Sequence, residues 1–381
     1  MPSIAKREIH IIAFDIPYPA DYGGAIDVFY RLKALSEAGW AITLHCFYKG
    51  ELIHHKELES LCKAVHYYPR HTDWRQLFHV RPYAVVSRTD NRLLANLLTD
   101  DAPILFEGLV SCALIGHPAL AKRDKYLREC NIEHRYYAAL GKAAAGMKER
   151  LYYYSDALKL QLFERKAKAA KAVFAIAHQD EAHYRKHYPN TPVIYLPASH
   201  PNSSVRIAEG RGSYILYHGN LDVAENYNAV RIIAEKIAPQ LADIPIVIAG
   251  RYNSHVLDSL PQAHPNIQLI ANPDEHKLAE LIRDAQLHLL ITEQATGLKL
   301  KLLNVLYNGR HVIVNDKMVA GTELASLCHI GTTADEIIEL CRRYFPQAVS
   351  TEEREARANL LSRYYDNREL ATIITNHLIP S

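Results

Sequence analysis

Short apolar runs alternate with longer stretches in which apolar residues recur every three or four positions. In the first half the runs fall at residues 9–14, 41–47, 103–106, 173–177 and 193–196. Each is short and rich in Ile, Val, Leu, Phe or Ala, which reads as a buried β-strand. Between the first two lies a helical pattern over residues 26–38, closed by Gly39. A long charged helix is predicted over 151–170, where Tyr152, Tyr153 and Tyr154 suit packing against neighbouring helices.

A polar stretch, 199–213, carries Pro201, Gly210 and Gly212 and reads as a linker. The rhythm then restarts, with strands at 214–217, 244–249, 267–270, 287–291 and 312–314 and a clear helix at 228–241. Strand–helix alternation with wholly apolar strands predicts parallel sheets covered on both faces. The expected architecture is α/β: two Rossmann-like, doubly wound domains facing a central cleft. Residues 1–200 form the first and 201–355 the second. Residues 356–381 form a closing helix. Ligands of such sheets bind beyond the strands' C-terminal ends.

Candidate chemistry follows from those ends. Gly23 and Gly24 stand just before the first helix, where glycine lets backbone approach a ligand. Glu107 and Gly108 follow the strand at 103–106, and Asn131-Ile132-Glu133-His134 comes later. Gly219-Asn220 and Gly250-Arg251 end the first two strands of the second half. All these glycines also suit ordinary strand-to-helix turns. The most informative stretch is Ala295-Thr296-Gly297-Leu298-Lys299-Leu300-Lys301, after an apolar strand. A helical pattern through Leu303 and Tyr307 follows it, with Gly309 as the expected C-cap. Lysines in a first helical turn oppose the helix dipole unless an anion sits there. The two ammonium groups stand about 200° apart around the axis, so one is expected on a phosphate and the other toward solvent or the domain's flank. A solvated face is the alternative for both.

Composition narrows the field. A net charge of +2, with no basic run interleaved with aromatics, argues against nucleic acid. Cysteines at 46, 62, 112, 130, 328 and 341 form no Cys-x-x-Cys pair, so neither a zinc framework nor a disulfide scaffold is suggested. A cytoplasmic protein with reduced thiols is expected. No run approaches the ~20 apolar residues of a membrane span, which leaves peripheral membrane contact open.

Taken in order, these segments resemble the GT-B glycosyltransferases, closest to the family 4 type and its bacterial polysaccharide and glycoconjugate relatives. Gly23-Gly24-Ala25 is similar to that family's glycine loop. Asn131-Ile132-Glu133-His134 resembles its Asn-x-Glu-His segment, and Gly219-Asn220-Leu221 its donor-domain opening. Gly297-Leu298-Lys299-Leu300-Lys301 resembles its Gly-x-Lys-x-Lys helix. Two departures stand out. Asn220 and Glu225 or Asn226 occupy places where the family often has Arg and Lys. Thr296 and Asn304 fall on its Glu-x7-Glu pair, and Glu293 does not restore that spacing.

The resemblance implies transfer of a sugar from a UDP- or GDP-linked donor to a hydroxyl of a carbohydrate, lipid-linked or other acceptor. It implies retention, no metal, no cofactor beyond the donor, and a return of the closing helix, residues 356–381, to the first domain. Phosphate contacts would fall to Gly219, Asn220, Arg251, Gly297, Leu298, Lys299 and Lys301, with Thr296 and Asn304 beside the donor and the backbone of Gly23 and Gly24 near the donor phosphates or the acceptor. Were the reaction inverting, Glu107, Glu133 or His134 would take the acceptor proton. The alternatives are a nucleotide-sugar 2-epimerase of the same fold and a catalytically silent binding or partner protein. A nicotinamide dehydrogenase fits less well, because neither half carries Gly-x-Gly-x-x-Gly.

Overall fold

The computed structural model describes residues 7–144, 146–293 and 297–378. The chain divides into two compact units. One comprises Met1–Pro201 with Tyr365–Ser381, and the other Asn202–Tyr364.

The first unit is built on seven parallel strands: β1 (Glu8–Ile12), β2 (Ala41–Tyr48), β3 (Ala64–Pro69), β4 (Ile104–Glu107), β5 (Lys125–Glu129), β6 (Ala172–Ala175) and β7 (Val193–Tyr195). Their order is β3-β2-β1-β4-β5-β6-β7, and all neighbours pair in parallel. Alternate residues of each strand feed opposite layers. Ile9, Ile11, Leu105, Tyr126 and Phe174 enter one core, while Ile12, Phe106, Leu127 and Val173 enter the other. Burial on both faces is why β4 and β6 are almost wholly apolar.

The second unit repeats the plan with β8 (Ile215–His218), β9 (Ile246–Gly250), β10 (Ile267–Ala271), β11 (Leu287–Leu290), β12 (His311–Val314) and β13 (His329–Ile330). The order is β10-β9-β8-β11-β12-β13, again parallel. Strand order reverses between β1 and β4 in one unit and between β8 and β11 in the other. Those switch points are where doubly wound sheets open to ligands.

The closing segment differs from the expected single helix over 356–381. Helix Thr351–Tyr365 belongs to the second unit as far as Tyr364, and Tyr365 and helix Asn367–Leu378 belong to the first. The break falls at Asp366, whose carboxylate accepts from the Arg368 backbone N–H at 2.8 Å and so starts a new helix. Leu370, Ala371 and Ile374 of the last helix enter the core of the first unit. Trp40 Nε1 donates to Thr375 Oγ1 at 2.9 Å.

Candidate functional site

In the first unit the helix Gly23–Glu37 follows β1 and carries Asp27 and Arg31 one turn apart on its buried face. Arg31 donates to both carboxylate oxygens of Glu107, at 2.9 and 3.2 Å, and lies 2.7 Å from Asp27. Asp27 also pairs with Arg128 at 3.2 Å and accepts from the Ser199 N–H at 2.7 Å. Burial alone would raise Asp27, but Arg31 and Arg128 hold it below the usual carboxylate range. Two arginines thus neutralise two carboxylates under the strand ends. Glu107, expected as a candidate base, is fully buried and committed to this ion pair, so its work is to hold β4 against the first helix.

Glu133 has a different environment. It opens the helix Glu133–Ala143 and is buried. Burial pushes it up to about 7, with Arg88 pulling the other way. Glu129, at the end of β5, is driven well above the carboxylate range by burial and then by Glu133, Glu164 and Asp180. A carboxyl group poised near neutrality is what proton transfer at neutral pH requires.

His134 Nδ1 sits 3.0 Å from Glu164 Oε2, and His183 Nε2 lies 2.8 Å from Glu164 Oε1. Tyr188 donates to that same oxygen at 3.0 Å. Burial would raise Glu164, yet the bonds from His134 and His183 bring it to about 2. His134 is therefore a half-buried imidazole with an orienting carboxylate. His134, Glu164 and His183 also form a group with metal-ligand spacing, but hydrogen bonds already join them. A second such group, His311, His329 and Glu353, lies at the N-terminal ends of β12 and β13, not at the ligand-bearing ends.

Gly23 and Gly24 are the first residues of their helix. A Cβ on Gly24 would meet the Phe14 ring at 2.8 Å, so that glycine already has a packing reason to be there. Arg88 Nε donates to the Phe14 carbonyl at 2.5 Å and ties the same turn down.

In the second unit the turns after β8 and β9 touch. Gly219 N–H donates to the Ala249 carbonyl at 3.1 Å, and Leu221 N–H to that of Arg251 at 2.8 Å. A Cβ on Gly250 would stand 1.7 Å from the Gly219 oxygen. Glycine at 250 thus serves this backbone crossing. Asn220 and Arg251 are exposed beside it.

The lysines stand beyond β11. Thr296 lies outside the described residues. Gly297 has φ +65°, a conformation that favours glycine. The helix is Leu300–Asn308, so Lys299 is its N-cap residue and only Lys301 lies in the first turn. Lys301 Nζ donates to Asn226 Oδ1 at 2.9 Å and lies 5.1 Å from the centre of the Tyr217 ring. Burial lowers it to about 8, against the pull of Glu225. Lys299 Nζ lies 3.7 Å from Glu225 Oε1, and Thr292 Oγ1 donates to that same oxygen. Glu225 and Asn226 open helix Ala224–Ile232. Two helix N-termini and two ammonium groups therefore meet at the β8/β11 switch point. Both lysines bend toward helix Ala224–Ile232, Lys301 to Asn226 and Lys299 to Glu225.

Gly309 is not in the left-handed C-cap conformation expected of it (φ −98°, ψ 163°). Its missing side chain makes room for His288, whose Nε2 would lie 2.2 Å from a Cβ there. Asn304 accepts from Asn308 Nδ2 at 2.9 Å within the helix, and Leu298 is half-buried ahead of it.

Sequence reasoning passed over Glu129, Arg88, Glu164 and Tyr217. It weighed Glu225 and Asn226 only as departures from a family pattern. Asp27 and Arg31 were passed over as well, although their i,i+4 spacing on the apolar face of a glycine-led helix is a signal that would find them.

The fold is that of GT-B glycosyltransferases, with its two parallel-sheet units. TarM superposes with a TM-score of 0.68 at 8% identity, over 99% of this chain and 100% of that one. WaaG, a glycosyltransferase involved in lipopolysaccharide biosynthesis, gives 0.62 at 12% identity over 98% and 100%. An E. coli structure described as trehalose-6-phosphate bound with UDP-2-fluoro glucose gives 0.61 at 10% identity over 97% and 98%. In sequence, an uncharacterized 44.6 kDa protein in the cps region of Klebsiella pneumoniae is 24% identical over 321 residues, 80% of this chain and 82% of the relative. No family model matches the chain. Among the described residues no helix is long and apolar enough to cross a membrane.

Proposed function

We propose that the protein is a glycosyltransferase that moves a sugar from a nucleoside-diphosphate donor to a hydroxyl acceptor in the making of a surface polysaccharide or glycoconjugate. The observation that carries this reading is the meeting of Lys299 and Lys301 with two helix N-termini at the β8/β11 switch point. Breaking the bond from the anomeric carbon to the β-phosphate oxygen puts charge on that phosphate. Ammonium and N–H groups already in place there stabilise the transition state more than the bound donor. Support also comes from the relatives: one related fold binds a UDP-sugar, one serves lipopolysaccharide biosynthesis, and the sequence relative belongs to a cps region.

On this reading transfer proceeds with retention and without a metal. The acceptor oxygen bonds to the anomeric carbon, and its proton passes to the departing phosphate oxygen. Glu133, held near neutrality, and His134, oriented by Glu164, serve as polar contacts to the acceptor.

One observation favours a second reading. Glu225 places a carboxylate against Lys299 where an anion would sit, as a catalytically silent protein would tolerate. Purified protein incubated with a panel of UDP- and GDP-sugars separates the cases. Release of nucleoside diphosphate supports the transferase. An isomerised donor indicates an epimerase, and binding without turnover a silent protein.

A further inference from the structure

Helix Met147–Phe163 is apolar on two opposite faces. Its inner face, with Ala157, Leu160 and Phe163, is buried. Its outer face carries Met147, Leu151, Tyr154, Leu158 and Leu162, all exposed; Leu151 is 70% and Leu158 66% accessible. At about 100° per residue these five fall within an arc of about 80°, one continuous stripe along the helix.

The stripe has a neighbour. Lys159 Nζ donates to the Leu77 carbonyl at 2.7 Å and binds the loop Trp74–Phe78 to the helix. Trp74, Phe78 and Val80 there are 65%, 80% and 91% exposed. An exposed apolar surface of this kind marks an interaction site.

The rim is cationic. Arg75, Arg81, Lys148, Arg150 and Lys159 outnumber Asp73 and Glu149, while Asp156 is turned inward onto the Tyr83 and Ala84 N–H groups at 2.7 and 3.2 Å.

We propose that this face docks on an anionic lipid surface, with the helix lying in the plane of the interface and Trp74 and Phe78 inserted beside it. Apolar stripe, basic flanks and an exposed tryptophan together are what an anionic bilayer recognises. A second copy of the chain fits less well, because two-fold docking would set the same bases against each other. The helix Glu133–Ala143, which begins with Glu133 and His134, packs on this one, with the Tyr137 and Tyr153 rings 6.0 Å apart. A lipid-borne acceptor would therefore approach from this side. Only that last step rests on the transferase reading.

The test is vesicle co-sedimentation of the full chain, with phosphatidylcholine alone and with 30% phosphatidylglycerol. Binding to the anionic vesicles is expected, with a loss of tenfold or more at high salt. Trp40 is buried and the chain has two tryptophans, so a blue shift of emission on binding reports Trp74. The variants Leu151→Ser/Leu158→Ser and Trp74→Ala/Phe78→Ser should each lower vesicle affinity at least tenfold with the melting temperature unchanged, since all four side chains are exposed. Three results would overturn the proposal: no preference for anionic vesicles, variants that bind like wild type, or a dimer that Leu158→Ser dissociates without any lipid binding. Vesicle binding does not require turnover, so a failure here and a failure of the transferase reading are distinguishable.

Discussion

At the residue scale, environment sorts carboxylates that look alike in the sequence. Glu107 ends β4 and Glu133 follows β5, yet one is locked to Arg31 and the other is pushed by burial up to about 7 despite Arg88. The partner that decides, Arg31, lies 76 residues from Glu107, and no local pattern joins them. Removing one member of a buried ion pair strands the other charge. Glu107→Gln should therefore destabilise the protein by about 3–5 kcal/mol, measured by chemical denaturation. Unchanged stability with lost activity would return Glu107 to the chemistry. Glu133 gives the opposite sign. Its folded value lies above its ordinary one, so the native state holds the extra proton and stability falls as pH rises from about 4.5 to 7. Glu133→Gln should therefore raise stability by about 1–3 kcal/mol at pH 8 and by much less at pH 4.5. An equal gain at both pH values would refute the assignment. His134→Ala should lower turnover about tenfold or more while the fold persists; a fully active variant would remove it from the site.

At the element scale, helix Leu300–Asn308 shows what periodicity conveys. Its apolar spacing placed the helix, but not the start one residue later or the direction of its lysines. Those depend on Glu225 and Asn226, about 75 residues upstream. Gly309 reads as a C-cap by position, while the need for glycine comes from His288 across the layer. Gly309→Ala should cost roughly 1–3 kcal/mol through overpacking, which thermal denaturation would show; a neutral substitution would contradict that contact. Strand β5 escaped prediction because Lys125, Arg128 and Glu129 make it look like surface. All are buried, with Lys125 Nζ on the Leu120 carbonyl and Arg128 on Asp27. Short β13 and the half-polar β3 were missed because neither carries an apolar run.

At the scale of the molecule, alternation of apolar runs and helical stretches was enough to read two doubly wound units. The return of the chain's end was legible only through family resemblance, because Leu370 and Ile374 give no hint of which core they enter. Deleting residues 367–381 strips those side chains from the first unit. That unit should lose roughly 3–6 kcal/mol while the second keeps its own transition in calorimetry. Equal loss in both would contradict the division at Tyr365. The central claim is that Lys299 and Lys301 mark a diphosphate site. Isothermal titration of UDP and GDP into wild type, Lys299→Ala and Lys301→Ala tests it most directly. Wild type should bind one of the two nucleotides, and at least one variant should lose about 1.5–3 kcal/mol of affinity. Affinity should also weaken between pH 7 and pH 9, as Lys301 sheds its proton near 8. Identical affinity in all three proteins, or no binding by wild type to either nucleotide, would contradict it.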